Sequence, residues 1–269
     1  VTAAVRVKIC GLTRVDDVRA AVDLGAWACG FVLTESPRRV DPGPAAELGA
    51  ETDDSGVLAV GVFATETAED IAAAAAIAGV GAVQLSAGRD GPTVAAVRAA
   101  LLSGRSERAS QPPLVIAAAD TPDAADADLV LFDSRSPGAY GGTGRTLDWS
   151  AVADTVARSA AGSDGEPGHE SDPGSDPGFG AAFHGRVVLA GGLTPRNVAT
   201  ACHTVRPFAV DVSGGIESRP GVKDHGLMAA FFAAVRTVDA TKDGPHGPHS
   251  SPSDGGPPHP DDQGHHHDQ

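Results

Sequence analysis

Eight short apolar runs, each followed by a stretch of different periodicity, constrain the fold of this chain more than any other feature of its sequence. The runs are 5–9, 29–33, 58–62, 82–85, 114–118, 129–132, 187–190 and 209–212. They are rich in Val, Ile, Leu and Ala and scarcely alternate with polar residues, the pattern of parallel strands covered on both faces. Between them the apolar spacing becomes helical. Val15, Val18 and Val22 form one stripe; Val94, Val97 and Leu101 a second; Val198, Cys202 and Val205 a third; Leu227, Phe231 and Val235 a fourth. Thr194 followed by Pro195 predicts a helix start, and Thr13 with Asp16 predicts a capping pair. Only about ten residues, among them Pro122 and three aspartates, separate the fifth and sixth runs, so the fifth helix is expected to be shortened or irregular. Eight strands alternating with helices predict an α/β fold, a single (β/α)₈ barrel.

Aromatic residues make up 4% of the 269 residues, so small aliphatic side chains must fill the core. Two segments do not fit a barrel. Residues 162–180, with the near repeat SDPG, carry five acidic groups and no Lys or Arg; residues 239–269, rich in His, Pro and Gly, carry six acidic groups against Lys242. We expect a barrel over 1–238 with a disordered acidic insertion at 162–180, and a disordered tail over 239–269. These segments hold most of the net charge of −15; the body is mildly acidic, which argues against a nucleic-acid partner. The low lysine count and acidic surface suit a protein kept soluble in high salt, although a high-GC genome would give the arginine bias alone. No apolar run approaches the roughly 18 residues of a membrane span, the N-terminus lacks signal-peptide character, and Cys10, Cys29 and Cys202 lack metal-type spacing. A cytoplasmic, membrane-free protein is expected.

In a barrel, chemistry belongs where strands end. Cys10 closes the first run, where a thiol of lowered pKa would act as a base or nucleophile; a small buried hydrophobe is the plainer role of a lone cysteine. Lys8, two residues earlier, lies on the same side of the strand and is placed either to supply charge to that thiol or to hold Asp133. Asp133 ends the wholly apolar sixth run, a position suited to a general acid or to capping the next loop. Glycine-rich segments follow the sixth, seventh and eighth runs: GGTG with Gly142 and Gly144, AGGL with Gly191 and Gly192, and DVSGG with Asp211, Ser213, Gly214 and Gly215. Loops of this kind bind phosphate through backbone N–H groups. In ESPRRV, Arg38 and Arg39 offer a planar fork for a carboxylate. With no dinucleotide fingerprint, this inventory suits proton-shuttling isomerisation of a sugar phosphate without cofactor or metal.

The segments KICGLT (8–13), GFVLTESPRRV (30–40), VGVF (60–63), AVQL (82–85), GGTGRTLDW (141–149), LAGGLTPRNV (189–198) and FAVDVSGGIESRPGVKDH (208–225) resemble, in order, the phosphoribosylanthranilate isomerases of tryptophan biosynthesis. The resemblance implies a cofactor-free Amadori rearrangement of N-(5-phosphoribosyl)anthranilate to an open-chain ketose, by a monomer or homodimer. It implies that Cys10 is the general base and Asp133 the general acid, that Arg38 rather than Arg39 meets the anthranilate carboxylate, and that Asp211 orders the substrate. It places phosphate on Gly142, Gly144, Gly191, Gly192, Ser213, Gly214 and Gly215. The chain departs from the family pattern at Ser86, where a histidine is expected, and at Gly214, where a serine is expected. Two other readings have different consequences: isomerisation of another aminoaldose phosphate, and metal binding by the histidines of the tail.

Overall fold

A computed structural model describes residues 4–103, 111–134, 147–161 and 185–240. The expected insertion, nearly all of the tail, and Gly142 and Gly144 lie outside the described residues. Eight parallel strands close into a barrel in chain order: β1 (Arg6–Cys10), β2 (Ala28–Val32), β3 (Leu58–Phe63), β4 (Ala82–Leu85), β5 (Leu114–Ala118), β6 (Leu129–Phe132), β7 (Val187–Leu189) and β8 (Ala209–Val212). The seam is the β1–β8 pair, where Lys8 lies opposite Asp211. Seven helices are found among the described residues: α1 (Val15–Asp23), α2 (Pro42–Gly49), α3 (Ala68–Ala78), α4 (Val94–Ser103), α5 (Trp149–Ala161), α6 (Val198–Val205) and α7 (His225–Ala240). None of them is long and apolar enough to cross a membrane.

Strand alternation divides the core into two layers. Odd positions of β1 and β2, such as Ile9 and Phe31, pack outward with Val18, Ile71, Val97, Cys202 and Phe231 of the helices. Inward positions low in the barrel carry Ala28, Val60, Ala82, Ile116, Leu129, Val188 and Ala209, which fill it without aromatic bulk. Trp27 and Phe208 pack against this layer edge to face, with ring centroids 5.3 Å apart, and Arg6 lies 4.3 Å from the Phe208 centroid. The same register brings Lys8, Cys10, Gly30, Gln84 and Asp211 into line with these inward positions, toward the strands' C-terminal ends.

The fifth unit is shortened as expected: one 3₁₀ turn, Ala124–Asp126, replaces a helix between β5 and β6. Just before it, Asp123 takes a left-handed backbone (φ 58°) and its carboxylate accepts the Val94 and Ala95 N–H groups at 2.9 and 3.0 Å. This linker therefore caps the start of α4.

Three local expectations are corrected, and one unforeseen element is added. Thr13 does not cap α1; its hydroxyl donates to the Gly221 carbonyl at 2.5 Å. Thr194 and Pro195 form a turn, and α6 begins later, at Val198, with Asn197 bonded back to Thr194 N and Gly192 O. Leu227 is 39% exposed, and α7 instead packs through Met228, Phe231, Phe232, Val235 and Val238. Finally, a hairpin of β9 (Glu217–Arg219) and β10 (Val222–Lys223) stands between β8 and α7, in a stretch whose few apolar residues give no strand signal. The α7 correction has a measurable consequence. Phe231→Ala should cost about 3–5 kcal/mol of stability in urea unfolding, whereas Leu227→Ala should cost under about 1 kcal/mol.

Candidate active site

At the C-terminal ends of the strands lies a cavity of about 480 Å³. Its floor is built around an ion pair: the Lys8 ammonium, fully buried, donates to Asp211 Oδ2 at 2.8 Å. Burial alone would push Lys8 down, but Asp211 and Cys10 together hold it above the ordinary lysine value. The lysine thus stays charged beside Cys10, one of the two roles that the sequence left open, and its counter-ion is Asp211, a partner that the sequence did not suggest. Asp211 Oδ1 has no hydrogen-bond partner among the described residues, although the carboxylate lines the cavity. Room for this floor comes from Gly30. A Cβ there would lie 3.2 Å from both Cys10 Sγ and Lys8 Nζ, tighter than side chains normally pack.

Cys10 lines the cavity, but its thiol is not the low-pKa group expected from the sequence. Burial pushes it up and outweighs the pull of Lys8 and Lys223 in the other direction; Asp211 adds to the rise. Cys29, on the neighbouring strand, is also buried and is pushed up to about 12. Asp133, immediately after β6, lines the same cavity as Cys10.

The SPRR loop separates its two arginines. Arg39 points to solvent, with Glu35 at 3.5 Å and Asp41 at 3.2 Å. Arg38 turns into the cavity wall, where Nε and Nη2 form a two-pronged contact with Glu217 at 2.9 and 2.7 Å. Glu217 is held in turn by Lys223 Nζ at 2.8 Å. Burial opposes charge on Glu217, yet Arg38 and Lys223 together hold its carboxyl below the usual range. Gly11 (φ 72°) lets the Arg38 stem pass close over β1, since a Cβ there would be 2.5 Å from Arg38 Cδ.

The glycine-rich loops after β7 and β8 share the cavity rim. Gly191, Gly192, Ser213, Gly214 and Gly215 all line it. A Cβ on Gly215 would run into the Leu193 carbonyl, and one on Gly191 (φ 86°) into Ser134, so glycine lets the ends of β6, β7 and β8 converge. The structure therefore gathers Cys10, Arg38, Asp133, Asp211 and the two rim loops around one space, with Lys8 beneath. Sequence reasoning missed Glu217, Lys223 and Gln84. The rarity of lysine in the chain is the only sequence signal that Lys223 carries. Gln84 is a lone polar residue inside AVQL; its Nε2 donates to Ser86 Oγ at 3.1 Å, and its buried Oε1 has no partner among the described residues.

The sequence profile of the N-(5'-phosphoribosyl)anthranilate (PRA) isomerase family matches residues 7–234. The N-(5'-phosphoribosyl)anthranilate isomerase of Dechloromonas aromatica is 37% identical over 235 residues, covering 87% of this chain and 97% of the relative. That of Herminiimonas arsenicoxydans is 33% identical over 251 residues, covering 87% and 94%. The crystal structure of phosphoribosyl anthranilate isomerase from Thermotoga maritima superposes with a TM-score of 0.64 at 33% identity, over 87% of this chain and 99% of that one. With its closed barrel, its cavity and these matches along most of its length, the chain belongs to the N-(5'-phosphoribosyl)anthranilate isomerase family.

Proposed function

We propose that this protein converts N-(5-phosphoribosyl)anthranilate to 1-(2-carboxyphenylamino)-1-deoxyribulose 5-phosphate in tryptophan biosynthesis, with Asp133 as acid and Cys10 as base. The observation that carries the assignment is the meeting of these two side chains in one cavity walled by Arg38 and the rim loops of β7 and β8. Asp133 protonates the furanose ring oxygen; the C1–O bond breaks and the anilino nitrogen lone pair forms the iminium. The Cys10 thiolate removes the C2 proton, and the C–H electrons neutralise the iminium to give an enolamine. Tautomerisation to the ketone completes the isomerisation with no net redox change. Backbone N–H groups of Gly191, Gly192, Ser213, Gly214 and Gly215 suit the phosphate, joined by Gly142 and Gly144 of the β6 loop. Arg38 meets the aryl carboxylate, and the Asp211 carboxylate at the cavity floor orders the substrate. The barrel of residues 1–238 carries the whole reaction, and the insertion and tail are accessory.

The raised Cys10 value is compatible with this role, because a weaker acid gives a stronger base once ionised. Both Lys8 and Lys223 favour the thiolate. The iminium adds positive charge when it is needed.

Turnover is followed by loss of anthranilate fluorescence from freshly generated substrate. Cys10→Ser and Asp133→Asn should each lower kcat by roughly 10²–10⁴-fold, with KM changed by less than about threefold. Comparable turnover by either variant would remove that residue from its role. A chain ending at residue 240 should retain wild-type kcat; its inactivity would instead favour a function seated in the tail. In the substrate-free protein, thiolate falls as pKa rises, so alkylation of Cys10 by iodoacetamide should still be accelerating at pH 9, with Cys10→Ser as background. A plateau below pH 8 would contradict the burial argument.

A further inference from the structure

Lys223 lies beneath the cavity rather than in its wall, and its side chain is fully buried. Its ammonium donates to the Cys10 carbonyl at 2.6 Å and to Glu217 Oε1 at 2.8 Å, with the Ser213 carbonyl at 3.3 Å. One cation therefore joins the end of β1, the start of the β8 loop and the carboxylate that grips Arg38. Its own backbone is pinned as well. Lys223 N–H donates to Asp17 Oδ2 at 3.0 Å, and Asp17 Oδ1 meets His225 Nε2 at 2.8 Å. Such an arrangement exceeds what a two-residue strand needs to stay in place.

The charges explain why. Arg38 commits Nε and Nη2 to Glu217, which leaves Nη1 without a partner among the described residues. A guanidinium matched to a carboxylate in this way is close to neutral, and a neutral unit attracts an anion weakly. Lys223 makes the trio of Arg38, Glu217 and Lys223 net positive by one charge. In a buried setting that surplus is poorly screened.

We propose that Lys223 is a positioning residue that sets substrate choice: it anchors Glu217, thereby fixes the direction of the Arg38 fork, and leaves a surplus positive charge for an aryl carboxylate. This inference rests on the function proposed above and goes beyond it in assigning carboxylate selectivity to a side chain that does not itself line the cavity.

The test compares two substrates, phosphoribosylanthranilate and phosphoribosylaniline, the latter lacking only the carboxylate. Lys223→Met and Lys223→Gln are assayed in the full chain, with folding checked by circular dichroism; the glutamine variant keeps a donor for the buried carbonyls while removing the charge. Each should lower the ratio of kcat/KM for the carboxylated over the carboxylate-free substrate by about 10-fold or more, chiefly through KM. In an Arg38→Met background the same substitutions should leave the ratio nearly unchanged, because the fork through which Lys223 acts is gone. Equal losses on both substrates would show a purely structural lysine and overturn the proposal. Wild-type turnover of both substrates at similar kcat/KM would overturn it by removing the carboxylate clamp, while leaving the isomerase reading intact. Absence of wild-type turnover on either would instead overturn that reading and this inference with it.

Discussion

The active end of this barrel depends on a buried ion pair. An ammonium inside a ring of apolar strands costs several kcal/mol unless a counter-charge lies in contact with it. Asp211 supplies that contact because β8 pairs with β1 in a register that sets it directly opposite Lys8. Only one carboxylate oxygen is used; the other, Oδ1, is buried without a hydrogen-bond partner among the described residues. Removing either partner would leave a lone buried charge, a loss of about 3–5 kcal/mol. Gly30 makes the arrangement possible by withholding a side chain from the space that the Lys8 amine and Cys10 thiol occupy.

Stability and chemistry are separated along the strands. The lower interior is filled by Ala, Val, Ile and Leu, and the outer layer by strand and helix side chains, among which Leu193 and Val212 also reach the cavity. The upper interior concentrates charge: Lys8 with Asp211 on the floor, Arg38 with Glu217 on the wall, and Lys223 behind both. Each buried cation touches a carboxylate, so the reactive end tolerates its charge without solvent. Cys10 sits between two of these cations and one anion, and burial still decides the direction of its shift.

Much of this was legible in the sequence because parallel strands buried on both faces leave uninterrupted apolar runs. All eight runs match their strands to within a residue at each end. Cys10 and Asp133 stood out as polar residues at the ends of such runs. What could not be read locally came from long-range partners. Thr13 is taken by Gly221, and Asp17 by Lys223 and His225, all more than 200 residues away. The β9–β10 hairpin has too few apolar residues to reveal itself, and it is what delivers Glu217 and Lys223. The thiol's shift was misjudged because position on a strand does not report depth of burial. On α7, Leu227 and Met228 fit a helical stripe almost equally well, and only packing decides between them.

The Lys8–Asp211 pair joins residues 203 positions apart, across the seam that closes the barrel. During synthesis the ammonium emerges early, and its counter-ion arrives almost at the end. An incomplete barrel has nowhere to bury Lys8 and no seam to close, so loop-closure entropy must be met before the pair rewards it. The reactive thiol consequently gains Lys223, the second of its cationic neighbours, only when the last strand and the hairpin behind it have docked. Without Asp211, Glu217 and the rim loop of β8 the cavity is incomplete, which makes turnover itself a report of a closed barrel.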